Sequence, residues 1–138
     1  MILRNLICLV LLSTVSIVAS AQCKPIADAC EHNIPSSYIP DGQFHYAMLK
    51  DEETATFGMT FFGGTTYRVA GCSGTTDGNL FFTLYDQDGN ELFSNRDHAA
   101  APYWDFVFAS TMDVVVEANL DNEKASSGCA VVMVGFKK

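Results

Sequence analysis

The chain of 138 residues carries sixteen acidic and eight basic residues, a net charge of −8, and 49% of its residues are apolar. That length fits one domain with a single buried core. The acidic balance argues against nucleic acid or an anionic membrane surface as partner, since both would repel it; it is compatible with cation binding and with solubility outside the cell.

The opening segment, 1–21, reads as a secretory signal peptide. Arg4 supplies the positive start, residues 6–18 form an apolar run broken only by small Ser and Thr, and Ala19-Ser20-Ala21 makes a small-x-small cleavage site. The run is shorter than the roughly 20 residues that cross a bilayer, and no second one follows. The exported protein is expected to begin near Gln22 and to work in the periplasm, at the cell surface or in the medium. A lipid anchor on Cys23 is disfavoured, because attachment needs a small residue where Gln22 stands. Cleavage removes Arg4 and Cys8, leaving seven basic against sixteen acidic residues, a net charge of −9.

Four cysteines then remain: Cys23, Cys30, Cys72 and Cys129. An even count in an exported chain points to two disulfides, with three connectivities to choose from. Cys72 ends one apolar-patterned segment and Cys129 begins another, so neighbouring strands would pair them, leaving Cys23 with Cys30. That second bridge requires 24–29 to bend, because seven residues of continuous helix separate Cα atoms by about 10 Å. Zinc has no support, as there is no CxxC and the histidines lack ligand spacing.

Residues 22–40, with Pro25, Pro35 and Pro40, read as an irregular, disulfide-tied lead-in holding at most a short helical turn around 27–32. From Asp41 the pattern has period two. In 43–50, Phe44, Tyr46 and Met48 share a side and His45 takes the opposite, solvent-facing one. In 54–62, Ala55, Phe57, Met59 and Phe61 share a face, and Gly63-Gly64 ends the run. Across 65–72, Tyr67 and Val69 oppose Arg68. Segments 80–86 and 91–94 flank Asp88-Gly89, a strong hairpin signal. A polar connection, 95–102, precedes 103–109, where Trp104, Phe106 and Phe108 alternate inward and Tyr103 outward. Valine-rich 113–120, a polar loop and 129–136 complete the chain. About eight short strands at near-regular spacing, with no apolar helical repeat sustained over three turns, predict an all-β, antiparallel two-sheet β-sandwich or jelly roll over 41–138.

The series Thr65-Thr66-Tyr67-Arg68-Val69, then Leu80 to Tyr85 with Asp86, Gly89-Asn90 and Leu92, then Phe106-Val107-Phe108, resembles bacterial pre-peptidase C-terminal domains. The resemblance covers 44–136. It implies a secreted jelly roll; some members of that family bind calcium, and many help an enzyme bind a surface or polymer. This chain departs from the pattern in two places. Gly78-Asn79 separate Asp77 from the apolar strand at Leu80, and Cys72 and Cys129 lie outside the pattern.

Residues 86–91 place oxygens at alternate positions, as a calcium loop does. Glycine falls fourth rather than sixth, however, and position twelve is Asp97, so the spacing of a helix-loop-helix calcium site fails. Asp86 and Asp88, with Asp77, are the candidate calcium ligands, and the expectation is no cofactor. Asp97, His98, Tyr103 and Asp105 form a candidate ligand-binding surface, since loops carry function and an exposed Tyr or Trp can stack on a ligand. No GxSxG, HExxH or Cys–His arrangement marks a catalytic centre. Acidic 51–53 reads as a solvated turn, and His32 carries no signal by itself. Phe61-Phe62 and Phe81-Phe82 put aromatics on both faces of their strands, which requires a cover or a partner.

These features lead to a non-catalytic exported sandwich that binds a protein, a glycan or an envelope component. The alternatives are a small hydrolase or enzyme accessory using 95–105, and a structural subunit assembling through the phenylalanine-rich strands.

Overall fold

The computed structural model describes residues 15–74 and 76–138, with side-chain environments from Gln22 onward. Most of the segment expected to be a signal peptide, 1–14 with Arg4 and Cys8, lies outside the described residues. Helix α1 (Val15–Cys30) and a 3₁₀ turn (Glu31–Asn33) lead into eight strands. These are β1 (Tyr38–Lys50), β2 (Thr54–Phe61), β3 (Thr66–Cys72), β4 (Leu80–Tyr85), β5 (Glu91–Ser94), β6 (Tyr103–Val107), β7 (Met112–Leu120) and β8 (Ser127–Lys137).

Two four-stranded antiparallel sheets form, ordered β1-β8-β3-β6 and β2-β7-β4-β5. Strand β1 pairs with β8, β2 with β7, β3 with β6 and β4 with β5. The chain is thus one long antiparallel hairpin rolled into two sheets, which is a jelly roll. The β4–β5 hairpin, legible in the sequence, is the tip of that roll. Gly89 takes φ +81° there, and the Asp86 main chain exchanges hydrogen bonds with Asn90 and Gly89.

Period-two patterning fills the space between the sheets. Ala55 and Phe61 from β2, Tyr67 and Val69 from β3, and Leu80, Phe82 and Leu84 from β4 are buried together. Val114, Val116, Ala118 and Leu120 from β7 and Ala130, Val132 and Val134 from β8 complete the core. Gly71 belongs to this layer by shape, since a Cβ there would lie 2.6 Å from Cδ1 of the buried Phe82 ring. Strand β8 is covered on both faces, so it reads as a nearly continuous apolar run. Cys129, Val131 and Met133 point the other way and pack under α1 with Cys23, Ala27 and Cys30.

Helix α1 corrects two expectations. The lead-in is helical through Cys30 rather than irregular, because Cys23, Ile26, Ala27 and Cys30 make an i, i+3, i+4, i+7 stripe that the sheet buries. The stripe spans only two turns and contains Pro25, which hid it from a search for longer repeats. Since 24–29 does not bend, Cys23 cannot reach Cys30. Instead Cys23 bonds Cys129, with Cα atoms 5.5 Å apart, and Cys30 bonds Cys72 at 5.8 Å. Cys72 and Cys129 do sit on neighbouring strands, but Cys72 is opposite Val131 and Cys129 is opposite Met48. The bridges close 106 and 42 residues of sequence, worth about 5 and about 4 kcal/mol taken singly in the chain-entropy model.

Strand β1 supplies a third correction. Its inward residues are Ala47 and Leu49, so His45 points toward the sheet interface, with its ring 5.4 Å from Phe57. Phe44 lies on the opposite face and packs against the helix layer. The helix layer reaches that face at Phe44, while Tyr46 and Met48 beside it stay exposed, so the solvent assignment changes for His45 alone. The paired phenylalanines divide similarly. Phe61 and Phe82 are fully buried, Phe81 lies under the Arg96 guanidinium at 3.9 Å, and Phe62 stays 61% exposed.

Candidate binding surface around β6

The connection between β5 and β6 is built around Asn95. Its side chain is fully buried and accepts from the Phe82 N–H at 2.9 Å, while its amide donates to Leu80 O at 2.9 Å and Ala101 O at 3.0 Å. It thereby continues the edge of β4 where β5 has stopped. Ser94 accepts the Arg96 N–H and caps the 3₁₀ turn Asn95–His98. Ala99 and Ala100 then take left-handed conformations, with φ of 54° and 53°, and return the chain to β6.

This fold divides the four candidate binding residues between two faces. His98 belongs to the side of the sandwich where β5 and β6 are the edges. Its ring stacks on Phe93 at 5.2 Å and meets Trp104 at 4.2 Å, and Trp104 in turn lies 5.1 Å from Phe93. Phe106 packs edge-on against Phe93 and Phe108 stacks on Phe61, so aromatic rings close this side of the core. Trp104 follows the inward parity expected from the sequence, yet sits at the rim and keeps 36% exposure. Asp97 is exposed on the 3₁₀ turn.

Tyr103 and Asp105 occupy the outer face of β6, away from His98. Asp105 receives a bidentate ion pair from Arg68, Nε–Oδ1 at 2.8 Å and Nη2–Oδ2 at 3.0 Å. The same guanidinium lies 4.0 Å from the centre of the Tyr103 ring and 4.7 Å from that of Tyr38, and Nη1 donates to Asn33 O at 3.3 Å. Arg68 therefore ties the lead-in, β1, β3 and β6 together. Its hydrogen bonds, and then that of Tyr38, hold the Asp105 carboxyl below the usual carboxylate range although burial acts the other way. The sequence placed Arg68 opposite Tyr67 and Val69, but its partners come from strands that only the roll assembles.

The candidate calcium residues are not brought together. Asp77 precedes β4 and Asp86 follows it. Asp77 accepts from Asn33 Nδ2 and His32 Nε2, each at 3.1 Å. Burial pushes its carboxyl up, but those hydrogen bonds outweigh it and hold the carboxyl low. Asp86 accepts from the N–H groups of Asp88 and Asn90 and from Asn90 Nδ2, all at 2.9 Å, so its oxygens serve the turn. Among the described residues no group of three His, Cys, Asp or Glu side chains could hold a metal ion.

On the opposite side of the sandwich, β1 and β2 leave a cleft of about 530 Å³. Met59, Phe61, Tyr67, Val134 and Phe136 make its apolar lining, with Asp41, Gln43 and His45 beside them. The register of β1 against β8 shifts between Pro40 and Phe44, which sets Asp41 and Gln43 outside the regular ladder. Sequence reading missed this concavity because its walls come from β1, β2, β3 and β8.

No protein-family model matches the chain, and no curated protein matches its sequence. Among solved structures the chain is similar to Aeromonas hydrophila PliG, a periplasmic lysozyme inhibitor of g-type lysozyme. The TM-score is 0.53 at 10% identity, covering 69% of this chain and 85% of the inhibitor. A de novo designed double-stranded β-helix matches 69% of this chain and 99% of its own length, at 10% identity and a TM-score of 0.37. The likeness to the inhibitor is one of fold.

Proposed function

We propose that this protein is an exported, non-catalytic module that binds a protein partner through the surface around β6. The observation that carries the reading is the exposure of Tyr103, Trp104 and Val107, at 38%, 36% and 66%, within one five-residue edge strand. Tyr and Trp supply large contact area at low entropic cost, which is why binding surfaces are rich in them. The start of the sequence, the two disulfides and an inhibitor among the proteins of similar fold support the same reading. The net charge of −9 expected for the exported chain favours a basic partner. The hydrolase alternative needs His98 and Asp105 to converge, and they lie on opposite faces of β6.

The test is affinity capture from the source culture on the purified, oxidised protein, beside a Tyr103→Ser/Trp104→Ser/Val107→Ser variant of equal melting temperature. The reading expects at least one protein retained by the wild type and lost from the variant, and direct titration with that protein purified. G-type lysozyme is the first named candidate to titrate, because the inhibitor of similar fold acts on it. Identical capture by both forms would sink the reading.

A further inference from the structure

We propose that β6 takes up an extended segment of the partner polypeptide by strand addition; the proposal rests on the protein-binding reading above and supplies its chemistry. The register shows which main-chain groups are free. On the β3 side, Gly71 N donates to Pro102 O at 2.9 Å at one end of β6, and Gly64 N donates to Phe108 O at 2.9 Å at the other end. Between these points Val69 faces Trp104 and Tyr67 faces Phe106. Main-chain groups alternate in direction along a strand, so the even-numbered residues of β6 bond β3 and the odd-numbered ones point outward. Tyr103, Asp105 and Val107 thus present three N–H and three C=O groups on the open edge. Strand β6 is the last strand of its sheet, and among the described residues no turn or loop main-chain group is hydrogen-bonded to them. Donor and acceptor at every second residue, roughly 7 Å apart, is the complement of another extended polypeptide main chain.

Each of the other sheet edges is interrupted, shorter or less apolar. Strand β1 carries Pro40 and a register shift, and β5 has four residues with a shift opposite Leu84 and Tyr85. Strand β2 turns Thr54, Thr56, Gly58 and Thr60 outward, without a large exposed apolar side chain. Folded proteins blunt exposed edges with proline, lysine, bulges or short length. Strand β6 has no proline, lysine or bulge, and its one charge, Asp105, opposes only a strand that sets another acid against it.

A second copy of this chain is not the occupant. The two-fold pairing that would use all six groups places Asp105 directly opposite Asp105, and like charges at that position oppose pairing. The occupant is a segment of another protein, with apolar side chains beside Tyr103, Trp104 and Val107.

The experiment uses random dodecapeptides displayed on phage, selected on the immobilised wild-type protein and then synthesised. The expected result is at least a tenfold loss of peptide affinity on Val107→Pro, which removes an outward N–H and leaves the β3 ladder intact. On the wild-type protein, N-methylation of the peptide should cost at least tenfold at every second residue and little in between. That alternation does not depend on whether Val107→Pro folds, and Val107→Lys gives a second block of the edge. Peptides indifferent to both substitutions, methylation effects without alternation, or a selection that enriches nothing would overturn strand addition. A dimer of the protein that Val107→Lys dissolves would overturn the choice of occupant. A captured partner lost from the Tyr103/Trp104/Val107 variant but retained by Val107→Pro would remove strand addition while leaving the protein-binding reading in place.

Discussion

Asn95 shows how much one polar side chain can hold. It satisfies three main-chain groups around the ends of β4 and β6 from a fully buried position. Replacing it by Leu leaves the buried Phe82 N–H and the Leu80 carbonyl without partners. The expected loss is about 2–6 kcal/mol in urea unfolding, since each of the two orphaned groups contributes about 1–3. Asn95→Asp should fail as well, because a carboxylate would face the Leu80 and Ala101 carbonyls. Titration adds a second residue-scale prediction. The Ala29 carbonyl, and after it Asp77, raise the pKa of His32 above its ordinary 6.5. His32 therefore adds stability that is complete below its unfolded pKa and disappears as pH rises through the folded one. Asp77 and Asp105 are held low, so their contributions are present above the unfolded carboxylate pKa and fade as pH falls through the folded values. Urea midpoints measured from pH 2 to 9 should fall on both sides of a plateau. His32→Gln should flatten the alkaline limb and Asp105→Asn should shallow the acid one. An unchanged alkaline limb in His32→Gln would count against the His32–Asp77 contact.

At the scale of elements, the disulfides and the helix act as one unit. Cys23 and Cys30 sit two turns apart on α1 and fasten it to β8 and β3, with Ala27 buried between them. Removing one bridge by paired Cys→Ala substitution should cost about 2–5 kcal/mol, less than the chain-entropy figure if the unfolded state keeps structure. Removing both should also speed hydrogen exchange across 22–30 ahead of the sheet amides. Equal exchange in helix and sheet would mean that apolar packing, not the bridges, holds α1. Gly71 tests the sheet itself. Gly71→Ala puts a methyl into the Phe82 ring, and overpacking of that kind costs about 1–3 kcal/mol; Phe82→Leu should restore part of it by freeing the space.

For the whole molecule, the roll separates residues that the sequence sets close together and joins others far apart. Asp86 and Asp88 stay on the β4–β5 tip while Asp77 bonds His32 and Asn33 across the lead-in. A calcium titration to millimolar concentration after EDTA treatment is therefore expected to leave the melting temperature unchanged. A saturable rise that magnesium cannot reproduce would restore the Asp86 loop as a cation site. The two open sides of the sandwich also differ. Rings of Phe93, His98, Trp104 and Phe106 seal the β5–β6 side, whereas the β1–β2 side holds the cleft beside His45. The residues expected to form one surface at 95–105 are divided: Tyr103 and Asp105 share the outer face with Arg68, and His98 belongs to the aromatic seal.

What the sequence determined by itself is local or periodic. Alternation in 54–61 and 66–72 assigned the inward faces of β2 and β3, because side chains on a strand alternate whatever lies above them. Asp88-Gly89 marked the hairpin, because a tight turn needs backbone freedom at that spot. Strand number and antiparallel layering followed from the same period and spacing. The tertiary structure decided everything that depends on which surface covers which. It made a two-turn stripe through Pro25 into a helix, since burial against β8 and β3 outweighs weak local propensity. It chose Cys23–Cys129 and Cys30–Cys72, because disulfides join residues by distance in space. It turned His45 inward under a sheet that the sequence could not place. It also left β6 at an edge, since an open edge is defined by the strand that fails to pair with it.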